Sequence, residues 1–303
     1  NLLFREDTLF HPDVSVRFDK EKSNFQFMRQ SEGLGQQAFS DTYHALDWDV
    51  EGFSWKMGET RVRVGSLFGG TPRASNFLSS NFFKRETFDE MVGIDAVHPL
   101  ARLNGLIRES GRLGFTTRDY AEFIHMSELQ ARVELMKLAN AGFVLLDVET
   151  LWCEALPKAV NYIRNKSGRR DYDVLQWYSD PKEGNNAEWS LLNGFLSIHG
   201  VEYMQVSDSQ DVRIFPRAGE VIVRQNRDFE FDGLIRAGNL DFEGDAFSFD
   251  FDEFSIRMNQ ITGVRMSVND PDLTDQRGRH AKKRLKSTLE QVSGMLRVDH
   301  PTN

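Results

Sequence analysis

The chain has 303 residues, 40 % of them apolar, with a net charge of −9 and one cysteine, Cys153. The acidic balance works against generic binding along a phosphate backbone, which needs a basic footprint, and a single cysteine excludes an intrachain disulfide. No run of residues approaches the ~20 apolar positions that a membrane-crossing helix requires. Phenylalanine is abundant, 24 residues against 6 Tyr and 5 Trp, and suits a wide core because it buries area without a polar atom to satisfy. The start, Asn1-Leu2-Leu3-Phe4-Arg5, has no initiator Met, basic leader or long apolar stretch. With the plain end at Asn303 it reads as a piece of a longer protein.

Residues 1–95 are expected to be β-rich. Val14, Val16 and Phe18 alternate with Ser15 and Arg17, and Phe25 and Phe27 flank Gln26, the period of half-buried strands. Trp48, Phe53 and Trp55 suggest a hairpin around Glu51-Gly52. Arg61-Val62-Arg63-Val64 gives another strand, and Gly69-Gly70-Thr71-Pro72 a turn. Phe82, Phe83 and Phe88 fit a short helix or an irregular stretch.

The character changes over 96–155. His98-Pro99 places Pro at a first helical position, and Leu100, Leu103, Leu106 and Ile107 follow at helical spacing up to Ser110-Gly111. Leu113 to Thr116 is extended, Thr117 opens a second helix, and Ser127 with Gln130 forms a capping box for a third. That helix is read with Leu129, Val133, Leu135 or Met136, and Leu138 inward, Gly142 at its C-cap, and Phe143 to Leu146 as a strand. Thr117 to Leu146 resembles winged-helix domains in its element order and in the closing phrase Leu138-Ala139-Asn140-Ala141-Gly142-Phe143-Val144. The resemblance implies a compact helical unit whose third helix meets a partner.

Residues 156–268 are assigned to a second β region. Leu156 to Arg164 is a short strand or helix before a turn at Ser167-Gly168, and Asp173 to Tyr178 a strand. Asn186 to Leu192 is read as a helical turn with Trp189, Leu191 and Leu192 inward. From Phe229 to Phe254, phenylalanines recur with Gly233, Gly238 and Gly244 between them, the pattern of a stacked β-coil with Phe inside and acids outside. A filled interior leaves function to the outer faces. Residues 269–303 are a polar linker and a terminal helix over Arg279 to Leu296. The fold expected is thus α+β and predominantly β, with stacked β-coil or open β-roll segments flanking a small winged-helix-like unit.

Several residue groups offer chemistry. Asp241, Glu243 and Asp245 sit among nine ladder acids, a set of oxygens that a hard cation would accept, or a solvated strand face. Arg279, Lys282, Lys283, Arg284 and Lys286 form the dense basic run, a contact patch or a solvated helix face. Trp48, Trp55, Trp177 and Tyr178 could stack on a ligand's rings or fill the core. His44 with Asp47 and Asp49 is a weaker cluster, because a strand would turn His44 and Asp47 to opposite sides. Cys153 beside Trp152 reads as a buried small hydrophobe. The third helix has balanced charges and its wing continues as Asp147-Val148-Glu149, which favours protein over nucleic acid. No nucleotide, serine-hydrolase or zinc motif is present and no cofactor is called for. The expected function is a structural or adhesive scaffold segment of a larger extracytoplasmic protein contacting protein or glycan. The alternatives are a polysaccharide-active enzyme using ladder acids, a nucleic-acid-binding winged helix, and a cytoplasmic location.

Overall fold

The computed structural model describes residues 2–30, 33–66, 72–80, 88, 89, 91, 97–166, 175–274, 280–289 and 292–298. The turns placed at 69–71 and 167–168, together with Phe82, Phe83 and Arg279, lie outside them. The protein is predominantly β, 48 % strand against 19 % helix. It divides into two compact units whose segments interleave along the chain: Asn1–Met57 with Leu78–Asp173, and Gly58–Phe77 with Val174–His300.

The first unit opens with β1 (Leu2–Phe4), β2 (Asp7–Phe10), β3 (Val14–Asp19), β4 (Asn24–Arg29), β5 (Phe39–Asp41), β6 (Leu46–Asp49) and β7 (Gly52–Lys56). They pair antiparallel in two groups, β1–β2–β5–β6 and β3–β4–β7. The two strands read from alternation, β3 and β4, pair as a hairpin, with Val16 opposite Phe27 and Phe18 opposite Phe25. The hairpin expected around Glu51-Gly52 is replaced by two separate pairings: Trp48 lies opposite Phe39, and Trp55 opposite Phe25. In the chain β8 (Arg61–Val64) and β9 (Ser75–Ser79) follow.

Among the described residues, four helices and three strands complete this unit: α1 (Pro99–Ser110), β10 (Gly114–Thr116), α2 (Thr117–Ile124), α3 (Glu128–Asn140), β11 (Val144–Leu146), β12 (Trp152–Ala155) and α4 (Pro157–Lys166). The start at Pro99, the stop at Gly111 and the Ser127–Gln130 capping box read in the sequence are present. His98 caps α1 and Pro99 stands at its first position, where the missing N–H costs nothing; Gly111 ends it with φ 67°. Thr116 with Asp119, and Ser127 with Gln130, form reciprocal capping boxes. β12 lies between β10 and β11 in an antiparallel sheet. Leu100, Leu103, Tyr120, Leu135, Leu138, Phe143 and Cys153 form one buried core. Leu129 and Val133, expected inward on α3, are instead 73 % and 48 % exposed. The small Ala131 and Ala139 take the inner face with Leu135 and Leu138.

The second unit contains β8 and β13 (Gln176–Ser179), β14 (Ala187–Ser190), β15 (Leu196–Ile198), β16 (Met204–Ser207), β17 (Val212–Pro216), β18 (Val221–Val223), β19 (Phe229–Ala237), β20 (Leu240–Asp250), β21 (Ser255–Thr274), β22 (His280–Leu289) and β23 (Val292–Arg297). A continuous antiparallel sheet runs β8–β14–β15–β18–β19–β20–β21–β22. The stretch read as a helical turn at Asn186 is β14, with Trp189 buried opposite Val62 and Leu192 73 % exposed in the following turn.

The phenylalanine ladder is a long antiparallel meander, β19–β20–β21, rather than a stacked coil. Phe229 opposes Phe249 with rings stacked 4.7 Å apart, and Phe231 opposes Phe247 at 5.5 Å. Glycine serves the close approach of strands here. Gly233 has φ +147°, and a Cβ added there would stand 2.2 Å from the Phe215 carbonyl oxygen of β17. The terminal helix expected over Arg279 to Leu296 is likewise corrected, because β22 and β23 both pair with β21. The 20-residue β21 offers enough backbone for both partners, and pairing overrides the local spacing that suggested a helix.

Candidate functional site

The candidate site lies in the first unit, on one face of β3, β4 and β7. Strand alternation sends Val14, Val16 and Phe18 to the same side, and the register sets them beside Phe25 and Phe27, then Phe53 and Trp55. The rings touch in two rows. Phe18 lies 4.5 Å from Phe25, which stacks on Trp55 at 6.1 Å with planes 15° apart. Phe27 stacks on Phe53 at 4.7 Å, and Phe53 meets Phe39 edge-on at 5.3 Å. The inner end of the second row is core, since Phe53 and Phe39 are 3 % and 2 % exposed. At the outer margin Val16 and Phe18 are 58 % and 46 % exposed. Among the described strands β3 is the last of this sheet, pairing with β4 alone.

Beside these rings runs a groove of about 280 Å³ lined by Leu2, Leu9, Val14, Val16, Phe27 and Phe39 among others. His11 also lines it, and both its ring nitrogens are engaged: the Asp13 N–H donates to Nδ1, and Nε2 donates to the Gln37 carbonyl at 2.9 Å. Burial pulls the His11 pKa below its ordinary value. A neutral imidazole therefore keeps the groove uncharged at neutral pH.

Of the four rings proposed from sequence, Trp55 alone belongs to this face. Trp48 and Trp177 are fully buried and are corrected to core residues, Trp177 edge-on to Phe229. Tyr178 is 48 % exposed on β13 of the second unit. The sequence reading missed Val16, Phe18, Phe25 and Phe27 as surface, although it found their alternation. Alternation marks two faces, and which face is covered depends on strands distant in sequence.

The acidic candidates are also corrected. Each of the three proposed cation ligands has an arginine: Arg236 Nε is 3.0 Å from Asp241, Arg265 is 2.7 Å from Glu243, and Arg217 pairs with Asp245. Among the described residues no group of three ligating side chains is placed to hold a metal ion. In the sequence Arg236 alone stands among these acids; Arg217, just after β17, and Arg265 on β21 bring the rest. A depression of about 190 Å³ on the same unit is lined by Arg224, Asp228, Glu230, Asp250 and Arg257. Its acids hold structure: Glu230 pairs with Arg224 at 2.7 Å, and Asp228 and Asp250 accept the Phe251 and Glu253 N–H groups. Burial, with Asp250 and Asp252 nearby, pushes the Asp228 carboxyl upward.

The other clusters resolve into structural contacts. His44 Nδ1 lies 2.5 Å from Asp41, while Asp47 pairs with Lys158 at 2.8 Å and Asp49 with Arg29 at 2.8 Å. The buried Cys153 thiol is pushed up to about 11, which makes it inert. The basic run maps onto β22 by backbone register, Lys282 opposite Asn269, Lys283 opposite Val268 and Arg284 opposite Ser267, with Lys286 further along the strand. No protein-family model matches the chain, and neither a curated protein nor a solved structure matches it.

Proposed function

We propose that the chain is a structural or adhesive scaffold segment of a larger extracytoplasmic protein, and that it holds a protein partner on the aromatic face of β3, β4 and β7. The observation that carries this is the half-exposed row Phe18–Phe25–Trp55 running beside an apolar groove. Contiguous apolar surface of this kind marks contact sites, and clustered aromatics supply most of the binding energy there. Protein is favoured over glycan because a sugar needs free polar side chains for its hydroxyls, whereas the side chains lining the groove are apolar apart from His11, whose ring nitrogens are already engaged. An oxidising compartment suits a chain whose single thiol is buried.

Residues 99–155 are taken in the same reading as a winged-helix unit. Its support is the order helix, strand, helix, helix, strand, strand, with the first strand paired to the last. The exposed Leu129 and Val133 on the third helix favour a protein contact over a phosphate backbone there too. Among the described residues no helix is long and apolar enough to cross a membrane.

A photo-crosslinking residue placed at Phe18, with Leu192 as a control site, tests the reading in cells that express the full-length protein. A protein adduct is expected at Phe18 and lost in Phe25→Ser/Trp55→Ala. Adducts of equal yield at both sites would remove the face from consideration, and a glycan adduct would transfer the proposal to carbohydrate.

A further inference from the structure

We infer that the polar depression on the outer face of β19, β20 and β21 binds a free α-amino acid, taking its ammonium group on Asp228 and Asp250 and its carboxylate on Arg257, Ser248 and Ser255. The site belongs to the second unit and does not depend on the reading of the aromatic face. Phe229 lies opposite Phe249, and Phe249 opposite Ile256, and all three are buried. Strand alternation therefore turns their neighbours to the other side of the sheet. These are Asp228, just before β19, and Glu230 on it, Ser248 and Asp250 on β20, and Ser255 and Arg257 on β21. All six line the depression of about 190 Å³. That volume is below the ~300–1,000 Å³ of a drug-sized pocket and suits a small molecule.

The two walls differ in charge. On the acidic wall Glu230 is matched by Arg224 at 2.7 Å. Asp228 and Asp250 each use Oδ1 to accept a backbone N–H, from Phe251 and Glu253 at 2.9 Å, and among the described residues Oδ2 of each has no such bond. Burial, then Asp250 and Asp252, raises the Asp228 pKa although Arg224 offsets them in part. Negative charge there is incompletely balanced, and a bound ammonium relieves it. On the β21 wall Ser255 lies opposite Asp250 and Arg257 opposite Ser248. Ser255 is 4 % exposed, and its hydroxyl, lining the depression, has no hydrogen-bond partner among the described residues. Such a group costs free energy unless something outside the fold completes it. Arg257 is exposed and makes no ion pair among the described residues. Neighbouring strands are ~4.8 Å apart, so acids and donors face each other across a span that two charged groups on one carbon bridge. An anion alone would meet Asp228 and Asp250. A cation alone would leave the hydroxyls unfilled and face Arg257. A metal ion lacks its ligands, because no group of three ligating side chains is placed for one among the described residues. A small zwitterion matches both walls through charge-assisted hydrogen bonds.

Nuclear magnetic resonance on the isotope-labelled chain tests this. A mixture of L-amino acids should give saturable shifts at the amides of Ser248, Ser255 and Arg257. The best binder in that mixture is then compared with its N-acetyl derivative, which lacks the ammonium, and its amide, which lacks the carboxylate. Each derivative should bind about tenfold more weakly, the share of one hydrogen-bonded charge. Arg257→Gln and Asp250→Asn should each weaken the amino acid by about the same factor. The Asp250 carboxylate also accepts the Glu253 N–H, so Ser255→Ala is the cleaner variant. It removes a hydroxyl that the fold does not use, so its urea midpoint should match the unaltered chain while affinity falls about fivefold, the share of one neutral hydrogen bond. The absence of saturable shifts at these amides, or full affinity in both Ser255→Ala and Arg257→Gln, would overturn the inference. An amide derivative that binds as tightly as the amino acid would make this a cation site, and an equally tight N-acetyl derivative an anion site; either result overturns the zwitterion assignment.

Discussion

His11 is a single residue on which the electrostatics of the groove depend. Both its nitrogens are committed in the neutral form, Nδ1 as acceptor and Nε2 as donor. A proton on Nδ1 would set two donors, the ring and the Asp13 N–H, against each other. Burial lowers the folded-state pKa from 6.5, so in acid the unfolded chain takes up the proton first. The stability linked to His11 is thus fully present above pH 6.5 and is lost as pH falls through the depressed value. Urea midpoints measured between about pH 7.5 and 5 should fall more steeply for the unaltered chain than for His11→Asn. Parallel slopes would show that His11 does not titrate with folding.

At the scale of elements, α1, α2 and α3 are joined by one polar network in an otherwise apolar core. Glu134 on α3 accepts from Tyr120 Oη at 2.5 Å and from Arg102 at 2.7 Å. Burial, then the hydrogen bond to Glu134, pushes the Tyr120 phenol far above its usual range, so it remains a donor. The Arg102 and Glu134 side chains are 13 % and 11 % exposed, so removing the carboxylate takes a largely buried ion pair from Arg102 and a hydrogen bond from Tyr120. Glu134→Ala should cost about 2–4 kcal/mol in chemical unfolding, and Tyr120→Phe about 1 kcal/mol. A loss below ~1 kcal/mol for Glu134→Ala would mean that water replaces the network without penalty. The caps of these helices were legible because a cap is set by residues three apart. The exposed face of α3 was not, because the spacing of Leu129 and Val133 matches that of a core stripe.

For the molecule as a whole, interleaving decides what can fold alone. The second unit takes β8 from an early segment and sets it against β14, Val62 opposite Trp189 and Val64 opposite Ala187. A fragment of residues 156–268, the natural cut by composition, lacks that strand and exposes the β14 edge with Trp189. Such an edge is an aggregation template. The fragment is therefore expected to be insoluble or to lack cooperative unfolding, while a fusion that restores 58–77 should gain solubility. A soluble fragment that melts cooperatively without β8 would show that the early segment is dispensable.

The sequence by itself determined the β-dominated class, the strands β3 and β4, the helices between His98 and Gly142, and the buried character of Cys153. These depend on periodicity and on partners a few residues away, which a linear reading contains. Tertiary structure decided which aromatic rows are surface and which are core, the arginines that neutralise Asp241, Glu243 and Asp245, and the strand identity of the last segment. Those outcomes depend on partners tens of residues distant. An acidic ladder looks like a cation site until Arg217 and Arg265 are placed beside it, and a helical spacing yields to β structure when the long β21 offers its second edge to β22 and β23.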